Sequence, residues 1–122
     1  MLRIQSRFSI TLFDQPLFKY LNNYSNVMYR EDLEETAEIF QALSSENRLK
    51  ILLSLSEGEK CVHELTEQLE MTNSNISHHL RKLKDRRIVE KRKDGKHRYY
   101  SMNDEHIEEI IEAGVEHSRE QQ

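Results

Sequence analysis

From Glu31 onward, apolar residues recur at helical spacing. Leu33, Ala37 and Phe40 sit at i, i+4 and i+7, one face of an amphipathic helix. Ser44-Ser45 ends that helix and caps a second, in which Leu49, Leu52 and Leu53 recur at i, i+3 and i+4. Glu57-Gly58-Glu59 breaks the pattern. Val62, Leu65 and Leu69 mark a third, short helix, and Met71-Thr72-Asn73 makes a tight turn with Thr72 as N-cap. A fourth helix carries Ile76, Leu80 and Leu83 at i, i+4 and i+7. Beyond it the period shortens to that of strands. Ile88–Lys93 and Lys96–Ser101 read as extended, separated by Asp94-Gly95. A two-residue Asp-Gly loop predicts a hairpin with a type I′ turn, positive φ at both positions. Asn103 is placed to cap a last helix with Ile107, Ile110, Ile111 and Gly114 on one face. The predicted order is α-α-α-α-β-β-α, mainly α with a small β-hairpin.

Residues 1–27 depart from this pattern. They hold Phe8, Phe13, Phe18, Tyr20 and Tyr24, and the one proline, Pro16. Arg3, Arg7 and the stretch Phe8–Phe13 have some character of a signal. Ser9, Thr11 and Asp14 interrupt it, and no small-residue cleavage site follows. Asp14-Gln15-Pro16 can open a short helix carrying Leu17, Phe18 and Leu21. The expected organisation is an N-terminal extension over 1–27, poorly ordered or due to a start assigned upstream of Met28. One domain over 28–122 would follow.

Composition narrows the class. A chain of 122 residues suits one domain, and 36% hydrophobic residues is thin for an isolated globule of that size, so a partner subunit is expected. A single Cys excludes a disulfide framework or a Cys-only metal site within one chain. No run approaches ~20 apolar residues, so no membrane span is expected and the cytoplasm is the default compartment. With only three Gly, a Gly-rich phosphate loop is excluded.

Charge changes the picture further. The net charge is −4, yet Arg81, Lys82, Lys84, Arg86, Arg87, Lys91, Arg92, Lys93, Lys96 and Arg98 crowd into residues 81–98, against the acids Asp85, Glu90 and Asp94. A mildly acidic protein with one concentrated basic segment can bind a polyanion through that segment alone. The third and fourth helices, joined by their short turn, form a helix-turn-helix pattern. At 100° per residue, Ser74, Ser77, His78 and Arg81 fall opposite Ile76, Leu80 and Leu83. Short polar side chains there let a helix approach base edges in a groove ~12 Å wide. Asn73, at the helix start, lies where free N–H groups favour a phosphate. The basic hairpin, with Lys91, Arg92, Lys93, Lys96 and Arg98, suits backbone or minor-groove contact as a wing.

A family resemblance rests on these residues. Ala42-Leu43-Ser44 through Leu55, then Cys61-Val62-His63-Glu64-Leu65, then Ser74-Asn75-Ile76-Ser77-His78-His79-Leu80 and the Asp-Gly wing resemble the ArsR/SmtB family of winged-helix, metal-responsive repressors. The resemblance spans about residues 31–120. It implies that the fourth helix reads the major groove of double-stranded operator DNA, with Ser74, Ser77, His78 and Asn73 carried over as contacts. It also implies a homodimer through the first and last helices, which would answer the thin core.

The last helix carries Asp104, His106, His117 and Glu120. His106 and His117 lie within about 20° of one azimuth but roughly 16 Å apart along the axis, so one chain cannot close a site with all four. Two such helices packed antiparallel can, pairing Asp104 and His106 of one with His117 and Glu120 of the other. Two imidazoles and two carboxylates without sulfur suit Zn(II), with Co(II) also acceptable. The spacing is similar to that of the family's zinc sensors. Soft-metal sensors of the family carry Cys-Val-Cys where this chain has Cys61-Val62-His63, which argues against an arsenic, lead or cadmium site and for Cys61 as a small apolar core residue.

The expectation is a dimeric repressor that binds operator DNA without metal and is released by zinc. The alternatives are a relative that has lost metal sensing or responds through Cys61, and a protein-only interaction module. A zinc hydrolase is disfavoured, since four ligands would fill the coordination shell a catalytic ion must leave open.

Overall fold

The computed structural model describes residues 27–121. The expectations for residues 1–26, including the short helix after Pro16, lie outside the described residues. The chain divides into two compact units, Met1–Ala37 and Glu38–Gln122. The division falls inside α1 (Val27–Leu43). In the first unit, the described part of α1 leaves Leu33 47% exposed and Ala37 exposed. Thr36 donates its hydroxyl to the Asp32 carbonyl at 2.7 Å, the bond to the preceding turn that satisfies a mid-helix threonine hydroxyl.

The second unit continues with α2 (Glu46–Leu55), β1 (Lys60–Cys61), α3 (Val62–Leu69), α4 (Asn73–Asp85), β2 (Val89–Asp94), β3 (His97–Met102) and α5 (Glu105–Glu120). Ser45 begins α2 in an extended conformation and its hydroxyl accepts from the Arg48 N–H at 3.3 Å. α3 ends on Glu70 in the left-handed region, at φ 54°. Two residues later Thr72 starts α4, its hydroxyl accepting from the Asn75 N–H at 3.1 Å. This cap satisfies one of the four orphan donors of a helix start and fixes the tight turn between the two helices.

The core of this unit is made by Ile51 and Leu52 of α2, Leu65 of α3, Ile76, Leu80 and Leu83 of α4, and Ile88 and Val89 after it, all fully buried. Each such side chain contributes about 1.5–3 kcal/mol when fully buried. Ile107 and Ile111 of α5 join the same cluster. The helical periodicities of α3 and α4 therefore point inward as their spacing predicts, whereas in α5 Ile107 and Ile111 are buried but Ile110 and Gly114, expected on the same face, are exposed. α2 differs: Ile51 and Leu55 are buried alongside Leu52, while Leu53 is 47% exposed.

Three local details depart from the sequence reading. β1 is a third strand, pairing Lys60 with Tyr100 and Cys61 with Tyr99, so the sheet order is β1-β3-β2. Two residues are too few to show a strand period. The hairpin is also shifted by one residue. Asp94 pairs with His97, the loop is Gly95-Lys96, and of these only Gly95 has positive φ, at 62°. That satisfies a turn whose first position alone needs positive φ. Finally, Asn103 does not cap α5. Its side-chain amide donates to the carbonyl of Arg87, a residue held at φ 58° just past α4, and its N–H donates to the Ile88 carbonyl. Asp104 is the cap instead, one carboxylate oxygen accepting from the His106 N–H at 2.9 Å.

Candidate nucleic-acid interface

α4 separates its residues by face. Ile76, Leu80 and Leu83 are fully buried, whereas Asn73, Ser74, His78 and Arg81 are exposed and Ser77 is half-buried. Ser77 donates its hydroxyl to the Asn73 side-chain carbonyl at 3.3 Å, one turn back. The outward face thus carries small hydroxyls, an amide, an imidazole and a guanidinium on a helix whose opposite face is locked into the core.

His79 sits behind this face, half-buried. The guanidinium of Arg48 in α2 lies 3.3 Å from its Nδ1. This geometry calls for the tautomer that keeps the ring proton on Nε2, so that Nδ1 can accept. Burial, then the nearby charges of Arg48, His78 and Lys82, hold its pKa below the ordinary histidine value of 6.5. Arg48 also donates to the Ala42 carbonyl near the end of α1, tying α2 and α4 to that end. Sequence patterning passed over this pair because neither residue breaks the helical period.

The wing is organised by strand alternation. Val89, Lys91 and Lys93 share one face of β2 with their partners Met102, Tyr100 and Arg98 on β3. At its root that face enters the core: Val89 is buried, and Tyr100 and Met102 pack against the cluster. Towards the tip it carries Lys91, Lys93 and Arg98, all exposed, with exposed Lys96 in the turn. Lys84, at the end of α4, Arg98 and Lys93 crowd their charge around Lys91 and lower its pKa. Lys84 of α4 and the wing cations Lys91, Lys93 and Arg98 therefore lie close enough to repel one another.

Arg92 lies on the other face, with Tyr99. Its guanidinium donates to both carboxylate oxygens of Glu59, at 2.7 and 3.1 Å, and sits 5.0 Å from the Tyr99 ring centroid.

The four residues singled out as metal donors are all exposed on α5 or at its start. Asp104 and His106 are neighbours, with 3.5 Å between Oδ1 and Nδ1. His117 and Glu120 are at the other end of the helix. Among the described residues, no three His, Cys, Asp or Glu of one chain gather closely enough to hold a metal. Cys61 is half-buried at β1 rather than in the core cluster, and its N–H donates to the Glu64 carboxylate at 3.0 Å to start α3. His63 pairs with Glu67 at 3.1 Å on the exposed side of that helix.

Apolar side chains also remain on the surface. Phe40, Leu49, Leu53, Ile110 and Val115 line a cleft of about 640 Å³ between the end of α1, α2 and α5. Phe40 is 52% exposed and Leu53 47%.

Comparison with known proteins agrees with this architecture. Residues 45–91 match the family described as bacterial regulatory protein, arsR family. The chain is 39% identical over 101 residues to a cadmium resistance transcriptional regulatory protein CadC homolog of Staphylococcus aureus, covering 82% of this chain and 84% of that one. It is 32% identical to a transcriptional repressor SmtB homolog of Synechocystis, covering 89% and 85%. Among solved structures, the homodimeric winged helix-turn-helix DNA-binding domain of a possible ArsR-family regulator from Mycobacterium bovis superposes with a TM-score of 0.69. It is 27% identical and covers 75% of this chain and 84% of that one. With the buried helix-turn-helix, the polar outer face of α4 and the basic wing, these matches place the chain in the ArsR/SmtB family of winged helix-turn-helix transcriptional regulators, and it is a regulator rather than an enzyme.

Proposed function

We propose that the chain acts as a homodimeric repressor that holds operator DNA in its metal-free form and releases it when zinc, or cobalt, is taken up between the two α5 helices. The observation that carries the DNA half is the polar outer face of α4 together with the cluster that Lys84, at the end of that helix, forms with Lys91, Lys93 and Arg98 on one face of the wing. Asn73, Ser74, Ser77, His78 and Arg81 would meet base edges and adjoining phosphates, and Lys91, Lys93, Lys96 and Arg98 would meet backbone. Two copies are needed, because a dimer places two such helices in successive major grooves.

The donor set on α5 fits zinc. Two imidazoles and two carboxylates are exposed at opposite ends of the helix, and none is a thiolate. Asp104 spends one oxygen on the α5 cap, and its other oxygen leaves a donor. Zinc bound there would supply neutralising charge and a link between two helices. In its absence, Asp104 and Glu120 carboxylates from both chains would face each other across an antiparallel α5 pair. Cadmium figures in the name of the Staphylococcus aureus relative. With Cys61 alone, this chain offers no thiolate cluster for so soft an ion.

The test is fluorescence anisotropy on a duplex selected by this protein from a randomised pool, at fixed salt, with and without zinc. Zinc weakens binding tenfold or more, about 1.4 kcal/mol of coupling, and His106→Ala removes the effect. Binding that zinc leaves unchanged removes the sensor on α5 and leaves a DNA-binding regulator with another signal.

A further inference from the structure

Among the wing's basic residues, Arg92 stands apart in three ways. Lys91, Lys93 and Arg98 share the face that is continuous with α4, whereas Arg92 projects from the opposite face. Its guanidinium is already held by two hydrogen bonds to Glu59, in the loop between α2 and β1. It also lies over the ring of Tyr99, its direct partner on β3. Arg92 on β2, Tyr99 on β3 and Glu59, the residue just before β1, thus reach from one edge of the sheet to the other in its order β1-β3-β2.

The loop at the far end of this bridge is itself anchored. Glu57 accepts from the Lys60 ammonium at 2.7 Å and from the Gln68 side chain of α3 at 3.1 Å. The hydroxyl of Ser54 donates to the Gln68 side-chain carbonyl. The α2–β1 loop is therefore fastened on one side to α3, the first helix of the helix-turn-helix, and on the other to the wing.

We propose that Glu59 and Arg92 form a clamp that sets the position of the wing relative to the helix-turn-helix, and that Arg92 serves DNA binding as a positioning residue rather than as a phosphate contact. This rests on the DNA-binding reading above. A planar guanidinium suits such a clamp, because it meets a carboxylate bidentately and stacks on an aromatic ring at once, which an ammonium cannot do. The outcome has a distinctive sign. Glu59 is an acid beside a polyanion-binding surface, so without a positioning role its removal tightens DNA binding. As half of a clamp, its removal loosens binding.

The experiment measures affinity of the full chain for a 30-base-pair duplex selected from a randomised pool, across a salt series, for Glu59→Ala, Arg92→Ala, Arg92→Lys and the double alanine variant. Thermal unfolding of each variant checks the fold. The clamp predicts that each single variant binds about three- to tenfold more weakly, that Arg92→Lys behaves like Arg92→Ala, and that the double variant is no weaker than either single one. It also predicts an unchanged slope of log affinity against log salt, since no phosphate contact is lost. The proposal is overturned if Glu59→Ala binds as well or better, or if Arg92→Ala flattens that slope by about 0.9 while Arg92→Lys restores it. A wild-type chain that binds no duplex at low salt overturns the DNA-binding reading itself, and the clamp with it.

Discussion

At the scale of single residues, the contact between Arg48 and His79 carries a consequence for pH. The neutral ring accepts from the guanidinium, and a proton on Nδ1 would abolish that bond and set two cations 3.3 Å apart. His78 and Lys82 add to the same repulsion, and partial burial comes before all of them as a cause of the lowered pKa. The folded chain thus takes this proton less readily than the unfolded one. Above the ordinary value of 6.5 the ring is neutral in both states and costs nothing. As pH falls through 6.5, the unfolded chain binds the proton first, and stability is lost until the lower folded pKa is passed. In urea unfolding followed from pH 7.5 downwards, the wild-type chain loses stability below 6.5, and His79→Gln loses measurably less over that window. Equal slopes for the two proteins would mean the contact carries no proton linkage.

At the scale of elements, the helices were legible and the strands were less so, for a physical reason. α4 shows a 3.6-residue apolar stripe because Ile76, Leu80 and Leu83 must all reach one core, and such a stripe fixes both the helix and its outward face. Thr72 was readable as a cap because its position before the stripe and its short hydroxyl leave one role for it. The hairpin register was not readable to one residue, since both Asp94-Gly95 and Gly95-Lys96 place a glycine in the turn, and cross-strand pairing decides between them. Asn103 and Asp104 are both good caps, and the choice was made by the Arg87 carbonyl, which lies 16 residues back in the chain. Leu53 fell outside the core because α2 packs on Ile51, Leu52 and Leu55, a choice its continuous apolar run leaves open.

Strand alternation groups the cations of the wing by face. Lys91 and Lys93 alternate with Arg92 and share their face with Arg98. Each lysine that meets a phosphate releases a counterion, worth about 0.9 in the slope of log affinity against log salt. Replacing Lys91 and Lys93 together by Ala therefore flattens that slope by about 1.8, and weakens binding to selected and random duplexes alike, because backbone contacts carry no sequence information. A loss confined to the selected duplex would show instead that these lysines read bases.

At the scale of the whole molecule, the apolar cleft and the α5 donors make one demand. Phe40, Leu53, Ile110 and Val115 are each more than a third exposed, and a stable monomer gains little from leaving so much apolar surface wet. The proposed donors of α5 lie in two pairs too far apart along one helix to serve a single ion. In the proposed dimer, a second copy laid antiparallel against α5 would answer both at once: it would cover the cleft and bring Asp104 and His106 of one chain towards His117 and Glu120 of the other. Ile110 is a side chain on which these demands part, since it lines the cleft and is not a donor. Ile110→Glu places a carboxylate in the apolar contact, where like charges from two chains would meet without solvation. Sedimentation equilibrium should then find the variant monomeric at concentrations where the wild type is dimeric. The same variant should bind zinc more weakly, although its four donors are untouched, and a single half-site of DNA about as well as the wild type does. Zinc affinity that survives in a monomeric variant would place the ion within one chain and separate metal uptake from dimerisation.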